Sequence, residues 1–189
     1  MREGLLLTAL LREVEEEDLL AIGRTGRFSR AGVGSTTKAL VTKAPCPVLV
    51  AQGLRRPVNR VLAVYDGHGP SEGAVRWARS LAEQARWPLA VLAAPCEGLS
   101  LEEAVAKARQ LAGDEADVVA AGPQERDAAL AARAGEQSGA WALLVMGAYE
   151  HSLLRELLRG SETAAALNCV EGPIVLAHQA PTARAAARA

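Results

Sequence analysis

Two kinds of residue in this 189-residue chain could hold an anionic ligand: an aspartate after an apolar segment, and glycines next to hydroxyl side chains. Asp66 follows the segment RVLAVY at 60–65, and Gly160-Ser161 follows Gly147 further along. Glycine lets backbone N–H groups approach an anion closely, and a helix N-terminus favours a phosphate. The Gly-Lys-Ser/Thr of a Walker A loop is absent from the sequence. The same glycines could serve only as turns after strands, and the residues alone leave both interpretations open.

The elements that must position these residues alternate between apolar segments and helical patterns. Five apolar segments predict the strands of a parallel sheet, at 60–65, 89–94, 117–121, 141–147 and 174–177. Helices are predicted between them, one with Ser71 as its N-cap, one capped by Ser100, one at 125–136 and one at 161–169. Right-handed crossovers then place helices on both faces of the sheet. Ligands of such sheets bind at the carboxyl ends of the strands, here near Asp66, Ala94 and Gly147.

The first 51 residues repeat the pattern of 125–178. Residues 4–17 predict a helix, 18–23 match 142–147, and 44–50 match 170–176. Gly34-Ser35-Thr36 correspond to Gly160-Ser161-Glu162. Counterparts of the first three predicted strands are not found before residue 4. The sequence therefore predicts half a unit at 1–52, a complete unit at 57–180 and a disordered tail at 181–189.

Composition limits the classes of function. A net charge of -1 argues against nucleic acid and anionic membranes as partners, and no apolar run has the length of a membrane span. The N-terminus lacks the features of a signal peptide, so a cytoplasmic protein is expected. Cys46, Cys96 and Cys169 lack metal-ligand spacing and are expected to be reduced thiols. No metal site is predicted.

Catalysis is not expected, because no pair of a nucleophile and a base can be recognised from spacing. His68 could contact a ligand beside Asp66 or be a plain turn residue. His151 could act as an acid or base, but a solvated loop residue is the simpler interpretation, and His178 is expected to be structural.

In their order and spacing, Asp66, Met146-Gly147, Gly160-Ser161 and the strand Pro45-Cys46-Pro47-Val48-Leu49-Val50 resemble the universal stress protein family. The resemblance implies an open, doubly wound α/β fold. Its complete unit would be a five-stranded parallel sheet of order 3-2-1-4-5, and the C-terminal half of a second such unit would precede it.

The resemblance also implies a nucleotide site. Asp66 and the backbone near Val64 and Ala94 would meet an adenosine, and the glycine loop would surround ribose and phosphates. The implied residues are Val64, Asp66, Ala94, Met146, Gly147, Glu150, Gly160, Ser161, Glu162 and Thr163. Glu150 departs from the family, which has a second glycine there, so a carboxylate stands where phosphate charge would gather. The half-unit would offer an anion site without a base pocket, at Gly23, Gly26, Gly34, Ser35 and Thr36.

Three functions follow as hypotheses. The first is a regulatory module of a stress response that binds ATP, with Mg²⁺ accompanying the nucleotide. The second is a family member without nucleotide that serves as a dimerisation or interaction module, and the third is a slow ATPase. Residues 47–51 would otherwise be an open edge. The resemblance implies that they pair antiparallel with 173–178, as the fifth strands do in dimers of the family. A homodimer is expected to cover strand 18–23 and helix 4–17.

Overall fold

The structure is a computed structural model that describes residues 3–15, 18–23, 35–51, 56–95, 98–135, 137–147, 170 and 172–177. The helices are α1 (Glu3–Glu13), α2 (Ser35–Lys43), α3 (Gly69–Ala85), α4 (Leu101–Ala112) and α5 (Arg126–Ala134). The strands are β1 (Leu20–Gly23), β2 (Val48–Ala51), β3 (Val58–Tyr65), β4 (Leu89–Ala93), β5 (Asp117–Ala120), β6 (Trp141–Gly147) and β7 (Ile174–Ala177).

The described strands form one seven-stranded sheet in the order β1-β2-β7-β6-β3-β4-β5. All neighbours are parallel except β2 and β7, which pair antiparallel with Leu49 opposite Val175. These are the two strands for which the family resemblance implies an antiparallel contact. The chain is therefore an α/β protein with a mostly parallel sheet, and the segments before and after residue 52 share that sheet.

Helices cover both faces of the sheet because the strands alternate their side chains between two apolar clusters. On one face, Leu62 and Val64 of β3 lie in a cluster with Val41 of α2 and Leu130 of α5. On the other face, Val61, Ala63 and Tyr65 lie in a cluster with side chains of α3 and α4. β3 is thus buried on both sides, as its continuous apolar sequence predicts.

Helix α4 begins as predicted, with a capping box at its start. The Ser100 hydroxyl accepts a hydrogen bond from the backbone N–H of Glu103, and the Glu103 carboxylate accepts one from the N–H of Ser100. These bonds satisfy two donors that a helix start leaves without partners. The Ser100 hydroxyl also donates to the Glu103 carboxylate at 2.7 Å. This bond, together with the one from the Ser100 N–H, holds the pKa of Glu103 below its ordinary value.

Two helix boundaries differ from the predictions. Ser71 is not the N-cap of α3: His68 occupies that position, and the helix already begins at Gly69 with Pro70 in its first turn. Proline is tolerated there because the first turn needs no N–H from it. Helix α1 ends at Glu13 and not at residue 17, and Asp18 closes the following turn by accepting a bond from the N–H of Glu15. Acidic side chains at 15–17 are unfavourable at the negative end of a helix.

The predicted helix at 161–169 and the predicted tail at 181–189 lie outside the described residues. None of the described helices is long and apolar enough to cross a membrane.

Candidate functional site

The predicted ligand edge is formed by the ends of three neighbouring strands. β3 lies between β4 and β6, with Ala63 opposite both Val91 and Val145. Asp66, Ala94 and Gly147 therefore lie at the same edge of the sheet, as the sequence predicts. The ladder between β3 and β4 continues one step beyond the strands, because the N–H of Ala94 donates to the carbonyl of Tyr65 at 2.8 Å. The N–H of Ala94 is thus already in use.

Asp66 is a buried carboxylate with one oxygen in use. Only 3% of the residue is exposed, and its Oδ1 accepts a hydrogen bond of 3.0 Å from the backbone N–H of His68. The Nδ1 atom of His68 lies 3.4 Å from the same Oδ1. Within the described residues, Oδ2 of Asp66 has no hydrogen-bond partner. This oxygen is the acceptor that a ligand could use.

The turn after Asp66 requires glycine. Gly67 has a φ of +94°, and a Cβ at this position would lie 2.9 Å from Cδ2 of Leu99. The backbone angle disfavours any residue with a side chain, whereas the flexible end of Leu99 could move to relieve the contact.

Ser71 stabilises this turn from inside the first turn of α3. Its hydroxyl donates to the carbonyl of His68 at 2.8 Å and accepts from the N–H of Asp66 at 3.2 Å. Ser71 is 1% exposed. Local sequence patterns do not indicate this role, because the contact depends on how the start of α3 folds back over the end of β3.

Gly147 lets β6 approach the start of α3. A Cβ on Gly147 would lie 2.7 Å from the carbonyl carbon of Pro70 and 2.8 Å from the nitrogen of Ser71. Because both atoms belong to the backbone, they cannot move aside without shifting the helix. Gly147 thus has a packing role in addition to the ligand contact that the resemblance implies.

The half-unit has a comparable arrangement at the end of β1. The hydroxyl of Thr37 donates to the carbonyl of Gly23 at 3.1 Å and thereby fastens the first turn of α2 to the strand end. Thr37 is 5% exposed and was not among the predicted site residues. The repeat could have found it, because Thr37 corresponds in sequence to Thr163. The predicted residues Ser35 and Thr36 lie in the first turn of α2.

Several predicted site residues lie outside the described residues. They are Gly26, Gly34, Glu150, Gly160, Ser161, Glu162 and Thr163, together with His151 and His178. Val64 and Met146 are described, and both are buried at 2% exposure on the face that Leu130 covers. Their side chains therefore pack in the core, and only their backbone is near the edge.

Two buried side chains, Tyr65 near the site and Cys46 in the core, have raised pKa values. Burial raises the pKa of Tyr65 above its ordinary value, and the nearby carboxylates of Glu72 and Asp66 raise it further. Burial likewise raises the pKa of Cys46, a free and fully buried thiol. Cys96 and Cys169 lie outside the described residues.

Among the residues that the structure describes, no three His, Cys, Asp or Glu side chains are close enough to hold a metal ion.

The chain is an α/β protein with a mostly parallel sheet covered by helices. A buried aspartate and a close-packed glycine lie at the carboxyl ends of its strands, where ligands of such sheets usually bind. Residues 7–52 match the model of the Universal stress protein family. This range is the segment in which the repeat predicts half a unit.

A solved universal stress protein from Archaeoglobus fulgidus DSM 4304 has a similar fold, with a TM-score of 0.67 and 17% sequence identity. The alignment covers 92% of this chain and 65% of the other, so this chain spans 65% of the length of that relative. At this identity the likeness shows the fold alone. Nothing among the curated proteins compared matches the chain.

Proposed function

We propose that this chain is a regulatory module of the universal stress protein type that binds an adenine nucleotide at the carboxyl edge of β3, β4 and β6. The fold and the match at 7–52 support the family. On the same grounds we infer that 57–180 is a complete unit and that 1–52 is the second half of another. ATP is the proposed ligand, and any Mg²⁺ would arrive with its phosphates.

The observation that carries the ligand site is the Asp66 carboxylate. Asp66 is 3% exposed, and its turn supplies a donor to Oδ1 alone. Oδ2 is not fully buried, so solvent or a ligand can reach it. A ligand that brings hydroxyl or amino donors would satisfy Oδ2. The ribose of a nucleotide carries two hydroxyl groups of this kind.

The test replaces that acceptor and keeps the shape of the side chain. Asp66→Asn can still accept the bond from His68 but presents an amide N–H₂ where Oδ2 was. Calorimetry should show ATP affinity at least tenfold weaker, since a hydrogen bond to a charged group contributes about 1.5–3 kcal/mol. The exposed Asp127→Asn is the control, and a thermal melt of each variant checks the fold. Equal affinity of Asp66→Asn and the parent would refute the site.

Glu150 should control that affinity. A carboxylate about 4–5 Å from a phosphate at an effective dielectric near 20 is repelled by several kcal/mol. Glu150→Gly should therefore tighten ATP binding by roughly tenfold or more, and Glu150→Gln should show how much of this gain comes from charge alone. Unchanged affinity in both variants would mean that the side chain does not face the phosphates.

The second candidate function is that of a family member that binds no nucleotide and serves as a dimerisation or interaction module. It is favoured by Glu150 and by the local roles of Gly67, Ser71 and Gly147, each of which packing explains without a ligand. Nucleotide released by acid from freshly purified protein would decide between the two candidates. A slow ATPase would require more than one phosphate released per site and the loss of this turnover in Asp66→Ala.

We further propose a homodimer in the cytoplasm. β6 has partners on both sides, whereas in the described part of the chain its repeat counterpart β1 is bonded only to β2. Leu19, beside this edge, is 48% exposed. Light scattering at micromolar concentration should give the mass of two chains, with residues 20–23 protected from hydrogen exchange. A monomer with the same protection would contradict the dimer.

A further inference from the structure

A cleft of about 500 Å³ lies at the amino ends of the strands, opposite the edge that carries Asp66. One wall is the C-terminal end of α3, with Glu83 and Arg86, followed by Trp87 and Pro88 at the entry to β4. The other wall is formed by the end of α4 and by Glu115 before β5. The proposed nucleotide would not occupy this cleft.

Arg86 stands at the mouth of this cleft in a conformation that usually belongs to glycine. Its φ and ψ are 55° and 41°, in the left-handed region. Its N–H bonds to the carbonyl of Glu83, and the N–H of Trp87 bonds to that of Ala82 at 2.9 Å, which together form a Schellman motif. A side chain in this backbone conformation opposes folding, and this strain makes the Arg86 side chain a candidate for a function.

The ionic groups of the cleft differ in their partners. Arg79 is bound to Glu83, with Nε and Oε1 2.8 Å apart, and its guanidinium also packs against Gly113. Within the described residues, neither the Arg86 guanidinium nor the Glu115 carboxylate has an ion pair or a side-chain hydrogen bond. Arg86 and Glu115 line opposite walls of the same cleft, and both residues are exposed to solvent.

Trp87 supplies the apolar part of the cleft. Its ring is partly buried and packs against the cluster of α3 and α4, and Pro88 and Leu89 continue this surface. The cleft therefore combines a free positive group, a free negative group and an aromatic wall.

We infer that this cleft binds a zwitterionic α-amino acid with an apolar or aromatic side chain. Its carboxylate pairs with Arg86, its ammonium group with Glu115, and its side chain packs on Trp87. A simple anion would be repelled by the negative charge of Glu115, and a simple amine would be repelled by the positive charge of Arg86. The zwitterion is the class of ligand that satisfies both.

The test uses three probes with the same ring: phenylalanine, phenylacetate, which lacks the ammonium group, and phenethylamine, which lacks the carboxylate. Each is titrated into ¹⁵N-labelled full chain while the indole N–H signal of Trp87, assigned with Trp87→Phe, is followed. The signals of Trp77 and Trp141 are internal controls. Phenylalanine should bind with a Kd of roughly 1–10 mM, as expected for a ligand of this size, and more tightly than the other two. Equal binding of the three probes, or no saturable shift, would overturn the inference.

Two variants separate binding from folding. Arg86→Gly should weaken phenylalanine binding about fivefold or more and raise the midpoint of thermal unfolding by about 2–4 °C, because glycine removes the left-handed strain. Glu115→Gln should weaken phenylalanine binding but leave phenylacetate binding unchanged or stronger. The exposed Arg109→Gln is the control. Lost binding with a lowered midpoint in Arg86→Gly, or full binding in either variant, would count against the inference.

Discussion

Asp66, Gly67 and Ser71 act together at the residue scale to join β3 to α3. The Asp66 side chain binds the His68 amide, Gly67 supplies the left-handed backbone, and the Ser71 hydroxyl bonds to both sides of the turn. This turn fixes the position of a buried carboxylate before any ligand is present. A nucleotide would therefore meet an acceptor that is already oriented, which lowers the entropy lost on binding.

Gly147→Ala should destabilise the protein. The added methyl group would lie within 2.9 Å of the Pro70 and Ser71 backbone, so strand and helix must separate. Overpacking of this kind typically costs about 1–3 kcal/mol. Urea unfolding measures the loss, and Gly122→Ala is the matched control because a Cβ there meets nothing within 4 Å. Equal stability of the two variants would contradict the close approach.

Tyr65 should make stability fall at alkaline pH. The pKa of Tyr65 is raised in the folded state. The neutral side chain therefore contributes to the free energy of unfolding below the ordinary pKa near 10, and this contribution is lost as the pH rises above that value. Tyr65→Phe should behave like the parent at pH 8, because the described residues offer the hydroxyl no hydrogen bond. Between pH 9 and 11 the variant should lose less free energy of unfolding. Parallel losses in both proteins would show that Tyr65 is not responsible.

The start of β3 is held at the element scale by an arginine. Arg60 donates to the carbonyl of Ala140 at 3.0 Å and to the carbonyl of Gly135, the C-cap residue of α5. A cation at a helix C-terminus also complements the helix dipole. Arg60 thus joins β3 to the end of α5 and to the turn that precedes β6.

Arg60→Met should lower the free energy of unfolding by about 1–3 kcal/mol, because it leaves two partly buried carbonyls without their charged donor. Arg109→Met, at an exposed position of α4, should change it by less than about 0.5 kcal/mol. The urea midpoints of the two variants provide the comparison. A change in Arg60→Met no larger than in Arg109→Met would mean that water replaces the guanidinium.

One apolar cluster connects the two segments at the scale of the whole molecule. Val48 and Val50 of β2 lie in the same cluster as Leu144 of β6 and Ile174 and Leu176 of β7. The antiparallel pairing of β2 with β7 adds backbone hydrogen bonds across the same boundary. Shared burial of this kind predicts a single cooperative unfolding transition.

Val48→Ala tests that cooperativity. Val48 is 0% exposed and lies in the first segment, whereas all three tryptophans, Trp77, Trp87 and Trp141, lie in the second. The substitution should lower the free energy of unfolding by about 2 kcal/mol and shift the unfolding transition, followed by tryptophan fluorescence, to a lower urea concentration. Leu101→Ala, at a 38% exposed position, should leave it nearly unchanged. A transition unaffected by Val48→Ala would show that the two segments unfold independently.

The sequence by itself determined the positions of the described strands, the start of one helix and the side of the sheet on which the candidate site lies. Apolar runs located the described strands to within two residues at either end, because a strand buried on both faces needs an uninterrupted apolar segment. Ser100 marked the start of a helix through its own side chain, and the structure adds Glu103 as its capping-box partner. The order of strands placed Asp66, Ala94 and Gly147 at one edge, since parallel strands end on the same side of a sheet.

Only the tertiary structure decided what depends on contacts between distant residues. That Gly147 lacks room for a side chain follows from where α3 begins, and α3 begins more than seventy residues earlier in the chain. The role of Ser71, the orientation of the Asp66 carboxylate and the cleft beside Arg86 likewise arise from elements that meet in space. Local periodicity reports which face of an element is apolar, but it carries no information on which atoms of another element will lie against that face.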